Sequence, residues 1–173
     1  MSRRKKAEQV SLGLKFWGGK RRGAGRPNVS STPAHSKRPE VKARYPMHVT
    51  LKLCAGLPSL RSKEPFELFR EALVKAQARG LRVIHYSVQS NHVHLILEAG
   101  DNETLTRALK SLCIRFAKKL NYRLSRTGAV FLGRFHLHVL KAALEVRNAI
   151  RYVLLNEDLH SKRFRERLDA FSS

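Results

Sequence analysis

Alternation of apolar and polar positions divides most of this chain into strands and helices. In MHVTLKLC, Met47 to Cys54, Val49, Leu51 and Leu53 point one way and His48, Thr50 and Lys52 the other. That period of two marks a strand with two unlike faces. Leu81 to Val88 predicts a second strand, and a tight turn over Gln89–Asn91 returns the chain into a third. In the third, Val93, Leu95 and Leu97 alternate with His92, His94 and Ile96. Ala129 to Leu140 predicts a fourth, irregular strand. Helical spacing separates these runs. From about Lys63 to Arg79, Phe66, Phe69, Leu73 and Ala76 form one stripe, with Ser62 placed to cap and Gly80 to stop the helix. Gly100, Asp101 and Asn102 open a second helix, about Glu103 to Leu124, with Leu105, Leu109, Leu112, Phe116 and Leu120 on its apolar side. Leu144 to about Asn156 predicts a third.

The order strand, helix, strand, strand, helix, strand, then an extra helix predicts an α+β fold. Two helices on one face of a four-stranded antiparallel sheet make the ferredoxin-like βαββαβ arrangement. Its first and third strands are central, so the histidine strand sits mid-sheet. The Val93/Leu95/Leu97 face is expected to bury against the first two helices. The His92/His94 face is then the open one, with the third helix free to lie near it.

Charge adds a partner. The chain has 173 residues, 42% of them hydrophobic, and a net charge of +22 from 35 Lys and Arg against 13 Asp and Glu. Such a balance points to a polyanion, with nucleic acid ahead of an anionic membrane surface. No stretch has the length and apolar continuity to span a bilayer, and the basic start carries no apolar signal segment. Residues 1–44 read as a disordered basic tail. They hold Arg3, Arg4, Lys5, Lys6, Lys15, Lys20, Arg21, Arg22, Arg26, Lys37, Arg38, Lys42 and Arg44 against Glu8 and Glu40. The tail serves either as a phosphate-neutralising arm or as a solubilising segment; Phe16 and Trp17 within it either stack on bases or cover the core edge. The domain is expected over 45–160, and 161–173 reads as a basic, helix-prone end. Cys54 and Cys113 form neither a disulfide framework nor a zinc set, which fits a reducing cytoplasmic setting.

Candidate chemistry centres on SVQSNHVHLILE. His92 and His94 are two residues apart on one strand face, about 6.6 Å at Cα, and two neutral imidazoles so placed can converge on a divalent metal. Ordinary half-exposed strand histidines have the same spacing. In the third helix Asn148, Tyr152 and Asn156 recur every four residues and share a face. Tyr152 reads as a nucleophile toward a phosphodiester and Asn156 as an oxygen donor beside the histidines; a tyrosine at the core edge with a wet hydroxyl is the plainer alternative. His136 and His138 form a second HxH on the expected edge strand, where Arg134 and His136 are candidate DNA contacts. Tyr122 is the rival nucleophile, in a basic stripe with no companion four residues on. A metal-dependent phosphohydrolase would need carboxylates, and Glu98 alone is on the histidine face.

NHVHL, RTGAVFLGRFH and RYVLLN together resemble the REP-associated tyrosine transposases, a branch of the insertion sequence 200-like, single-tyrosine HUH family. The resemblance covers roughly residues 45–160, and the GGKRRGAGRP lead-in is similar to one bacterial subgroup. It implies a ferredoxin-like fold, His92 and His94 as the HUH metal ligands for Mg²⁺ or Mn²⁺, Tyr152 as nucleophile and Asn156 as the ligand four residues on. It also implies cleavage and rejoining of single-stranded, hairpin-associated DNA through a 5′-phosphotyrosine. The family's usual Asn-Pro after the helix reads Asn156-Glu157 here, and its Met-Pro before the motif reads Gln89-Ser90. The expected DNA contacts are Lys20, Arg21, Arg22, Arg26, Arg115, Lys118, Lys119, Arg123, Arg134, His136, Arg147 and Arg151. The expected protein is cytoplasmic and nucleoid-associated, a monomer or homodimer. The alternative is a domesticated, catalytically silent binder of DNA or RNA hairpins using the same charge.

Overall fold

The structure, a computed structural model, describes residues 38–155 and residue 171. Its elements run β1 (Met47–Lys52), α1 (Lys63–Gln77), β2 (Leu81–Val88), β3 (His92–Ala99), α2 (Asn102–Arg123), β4 (His136–Val139) and α3 (Ala143–Leu154). The sheet has four antiparallel strands in the order β2-β3-β1-β4. This is the ferredoxin-like order, with β1 and β3 in the middle.

Burial follows the alternation. Val49 and Leu51 of β1 and Val93, Leu95 and Leu97 of β3 join Phe69, Leu73 and Ala76 of α1 and Leu105, Leu109, Leu112, Phe116 and Leu120 of α2 in one core. Ile96 of β3 and Val153 of α3 are also buried but lie outside that cluster. The helical layer therefore takes one sheet face, and α3 covers part of the other, packing on β2 and β3. The histidine face is thus less open than its sequence suggests.

Local chemistry sets the ends. Asp101 accepts from the Thr104 amide at 2.7 Å and caps α2. Ser62 occupies the N-cap position of α1, but its hydroxyl makes no cap bond. Gly80 has φ +84°, and a Cβ there would meet Thr104 Cγ2 at 3.0 Å, so both the turn out of α1 and the approach to α2 require glycine. The fourth strand is shorter than expected. Left-handed glycines at Gly128 (φ +101°) and Gly133 (φ +63°) break the extended path. Only the Leu53–Phe131 bridge joins the intervening segment to the end of β1 before regular pairing starts at His136. Residues 38–44 are not detached: Val41 is buried and its amide donates to Asn102 Oδ1 at 2.9 Å. No helix among the described residues is long and apolar enough to cross a membrane.

Phe116 is fully buried between Phe69 and Phe131. Phe116→Ala is expected to cost about 3–5 kcal/mol in urea unfolding. Val74→Ala, at an exposed position of α1, should stay within about 0.5 kcal/mol.

Candidate functional site

The site forms where β1, β3, β4 and α3 meet. The β1–β3 register sets Thr50 opposite His94 and Lys52 opposite His92, while the β1–β4 register sets His138 opposite His48 and His136 opposite Thr50. Directly paired residues point to the same side of a sheet. His48, Thr50, Lys52, His92, His94, His136 and His138 therefore share one face. The second HxH stands on an edge strand, as its position implied, yet it is joined to the first through His48.

The two β3 imidazoles stand nearly perpendicular, at 86°, with centroids 4.8 Å apart. His94 is 5% exposed and His92 half-buried. His92 Nδ1 lies 2.8 Å from Asn91 Oδ1. His94 Nδ1 lies 3.1 Å from His48 Nε2 and 3.2 Å from Thr50 Oγ1. With a proton on each Nδ1, Asn91 and Thr50 accept from the two rings, and the lone pairs sit on the Nε2 atoms. That is the tautomer a metal-binding histidine uses, its other nitrogen held by an oxygen behind it. The donor chemistry of His92 and His94 thus fits half a divalent-cation site. Among the described residues no group of three His, Cys, Asp or Glu side chains is arranged to hold a metal ion.

Tyr152 reaches this pair from α3. Its ring centroid is 5.1 Å from that of His94, edge to face at 81°, and 6.1 Å from that of His48. The side chain remains 37% exposed, so an incoming group has access. The following residue, Val153, is fully buried and anchors the helix. At the other end of α3, Glu145 Oε2 accepts from the Lys141 and Ala142 amides at 2.7 and 3.1 Å, and Oε1 lies 3.8 Å from His138 Nε2. Those bonds, from Ala142 first and then Lys141, hold the Glu145 carboxyl below its usual range. Burial, followed by the nearby His136 and His138, holds His48 below the ordinary histidine value. The His48 ring is therefore neutral at pH 7, with one donor and one acceptor nitrogen.

The other expected residues are distributed widely. Asn148 is on the exposed part of α3, and Asn156 lies outside the described residues, as do Lys20, Arg21, Arg22 and Arg26. Arg147 and Arg151 are exposed on α3. Arg115, Lys118, Lys119 and Arg123 belong to α2, in the layer across the sheet from Tyr152. Two of them are engaged there, Lys119 with Glu71 of α1 and Arg123 with Glu64 at 3.3 Å. Tyr122, 84% exposed, is in that same layer and far from the paired imidazoles. His48, Thr50 and Glu145 were not singled out from sequence. The polar face of MHVTLKLC carried the first two, but only the strand register identifies their partner. The turn before His92 is closed by Gln89, whose backbone N–H donates to His92 O at 2.9 Å and whose side-chain amide donates to Ser87 Oγ.

Comparison places this fold among solved structures. The chain matches a REP-associated tyrosine transposase bound to a REP hairpin, with a TM-score of 0.61, 16% identity and 74% of each chain covered. It also aligns with a candidate transposase from Deinococcus radiodurans R1, with a TM-score of 0.46, 16% identity, 75% of this chain and 98% of that one. No family model matches the chain, and no curated protein matches it.

The Glu145 bonds give α3 a pH signature. Because its carboxyl is depressed from 4.5, the stabilisation is complete above that value and is lost as pH falls through the folded-state value. Amide-exchange protection at Lys141 and Ala142 is expected to fall in acid in the native chain. Glu145→Ala should show low protection at every pH; an unchanged profile in that variant would show that other groups hold the helix start.

Proposed function

We propose that this chain is a single-tyrosine DNA strand transferase that cuts and rejoins single-stranded, hairpin-associated DNA, with Tyr152 as nucleophile. The observation that carries the reading is the Tyr152 ring set against His94, whose own neighbour is His92. Its support also includes the +22 charge and a fold shared with a transposase bound to a REP hairpin.

In this reading Tyr152 Oη attacks the scissile phosphorus and gives up its proton. The bond from phosphorus to the 3′ oxygen breaks, and that oxygen leaves as a 3′ hydroxyl after taking up a proton. The products are a 5′-phosphotyrosine and a free 3′ end. Attack by a 3′ hydroxyl on the phosphotyrosine reverses the step, so the ester's free energy is kept for rejoining. His92 and His94, through Nε2, would hold Mg²⁺ or Mn²⁺, with Asn156 as the third donor. A divalent ion bound there supplies charge neutralisation at the phosphate. Thr50, His48 and Asn91 orient the two rings. Arg147, Arg151 and Lys52 hold flanking phosphates, and Val153 keeps the tyrosine over the pair.

Incubation with hairpin-bearing single-stranded DNA and Mn²⁺ is expected to give a covalent protein–DNA band that maps to Tyr152. Tyr152→Phe should abolish the band while leaving DNA affinity within about twofold, since it removes one oxygen and little volume. His92→Ala and His94→Ala should also abolish it; His136→Ala and Tyr122→Phe should not. An adduct on Tyr122 would reassign the nucleophile. Tight hairpin binding with no adduct under any metal would leave a binding protein.

The basic tail generates a separate expectation. Affinity for single-stranded DNA should fall with salt by about 0.7 in log K per log salt for each neutralised phosphate. Deleting residues 1–37, which precede the described region, should flatten that slope in a fluorescence-anisotropy titration. An unchanged slope would exclude the tail from binding.

A further inference from the structure

The second HxH takes no part in the cleavage step proposed above, yet one of its rings meets the helix that carries Tyr152. His138 Nε2 lies 3.8 Å from Glu145 Oε1, while Glu145 Oε2 accepts from the Lys141 and Ala142 amides at 2.7 and 3.1 Å. The two oxygens of one carboxylate thus divide their work. One closes the first turn of α3, and the other faces β4. Only residues 140–142 separate β4 from α3, so the contact fastens the corner between them. Glu145 and Tyr152 are two turns of helix apart and lie along the same side of α3. At its far end that side sets the Tyr152 ring against His94 and His48. At its near end it sets Glu145 against His138, which stands opposite His48 in the β1–β4 register. One side of α3 is therefore matched to the histidine face of the sheet at two places.

We propose that His138 and Glu145 are a positioning pair, which fastens the β4–α3 corner and so sets the tilt at which α3 carries Tyr152 over His94. The proposal deepens the strand-transferase reading and rests on it for what the placement serves. Val153 is fully buried, but a helix held at one residue can still tilt and roll about it. The tyrosine hydroxyl is at the end of a long side chain, which enlarges a small roll into a displacement. A misplacement of about 1 Å at a reacting group can cost on the order of a hundredfold in rate. Exposed ion pairs are usually worth little, in part because both side chains must be ordered to make them. Here that cost is reduced, since two amides already hold the Glu145 carboxylate in place. The Ala142 amide first, then the Lys141 amide, lower that carboxyl below its usual range, and the His138 and Lys141 side chains add to the effect. What the role requires of position 138 is a cation facing the carboxylate, not an imidazole as such.

The test uses the full chain and two readouts. One is the single-turnover rate of the Tyr152 adduct on saturating hairpin-bearing single-stranded DNA with Mn²⁺. The other is the nuclear Overhauser effect between the Tyr152 and His94 rings in the DNA-free protein. The two side chains are 55% and 43% exposed, so substitutions at either are expected to fold. His138→Glu sets two carboxylates together; it should slow the adduct about fivefold and weaken the ring contact. His138→Lys keeps a cation there and should hold both readouts within about twofold of the native chain. Glu145→Gln can still accept from the Lys141 and Ala142 amides, yet it should slow the adduct as much as His138→Ala does. Combining His138→Ala with Glu145→Gln should slow it no further than either alone. A native rate with an undiminished ring contact in His138→Glu would overturn the proposal, and so would His138→Lys as slow as His138→Ala. A native adduct whose rate none of these variants alters leaves the transferase reading standing and removes the pair. If the native chain forms no adduct, the transferase reading fails, and the ring contact in His138→Glu alone decides whether the pair places Tyr152.

Discussion

The pairing of β1 with β3 is the constraint on which the rest depends. Its register places Thr50 beside His94 and Lys52 beside His92, and it places Val49 and Leu51 among the apolar residues of β3. A strand has a side-chain period of two, so a slip of one residue would exchange the faces. Val93, Leu95 and Leu97 would meet α3, and two imidazoles would enter the core. The burial that drives folding therefore fixes the histidine geometry as well. The site needs no stabilisation separate from the register that the core already enforces.

The sheet consequently serves two different layers. Its α1/α2 side is a continuous aliphatic and aromatic core. Its α3 side is a mixed surface, in which buried Ile96 and Val153 sit next to histidines, a threonine and a tyrosine hydroxyl. On this surface the Nδ1 atom of each β3 histidine has a polar partner. His94 Nδ1 faces His48 and Thr50, and His92 Nδ1 faces Asn91; an unmet buried polar group would otherwise cost about 1–3 kcal/mol.

The architecture was largely legible in the sequence because the alternation and the leucine spacing are local signals. His92, His94 and Tyr152 could be singled out for the same reason, each by its spacing along one element. What could not be read depends on contacts between elements. His48 is one polar residue of an alternating strand until the β1–β4 register sets it opposite His138. Glu145 is one acid among several until it is seen closing the start of α3. The late start of the fourth strand's pairing follows from backbone angles at Gly128 and Gly133, which composition does not reveal. Ser62 stands at the start of α1, but its rotamer, not its identity, decides whether the hydroxyl caps.

The ion pairs between α1 and α2 have an effect beyond holding two helices together. Glu64, Glu67 and Glu71 are all on α1, against which Arg123, Arg70 and Lys119 are spent. They withdraw Lys119 and Arg123 from the cations open to a polyanion, but Lys110, Arg115 and Lys118 of α2 have no carboxylate within ion-pair distance among the described residues, and Lys52, Arg134, Arg147 and Arg151 add charge from β1, the β4 approach and α3. Positive charge therefore remains on both sides of the sheet. A polyanion is drawn to the whole domain from about one screening length, roughly 8 Å at physiological ionic strength, and preference for the histidine face falls to short-range contacts.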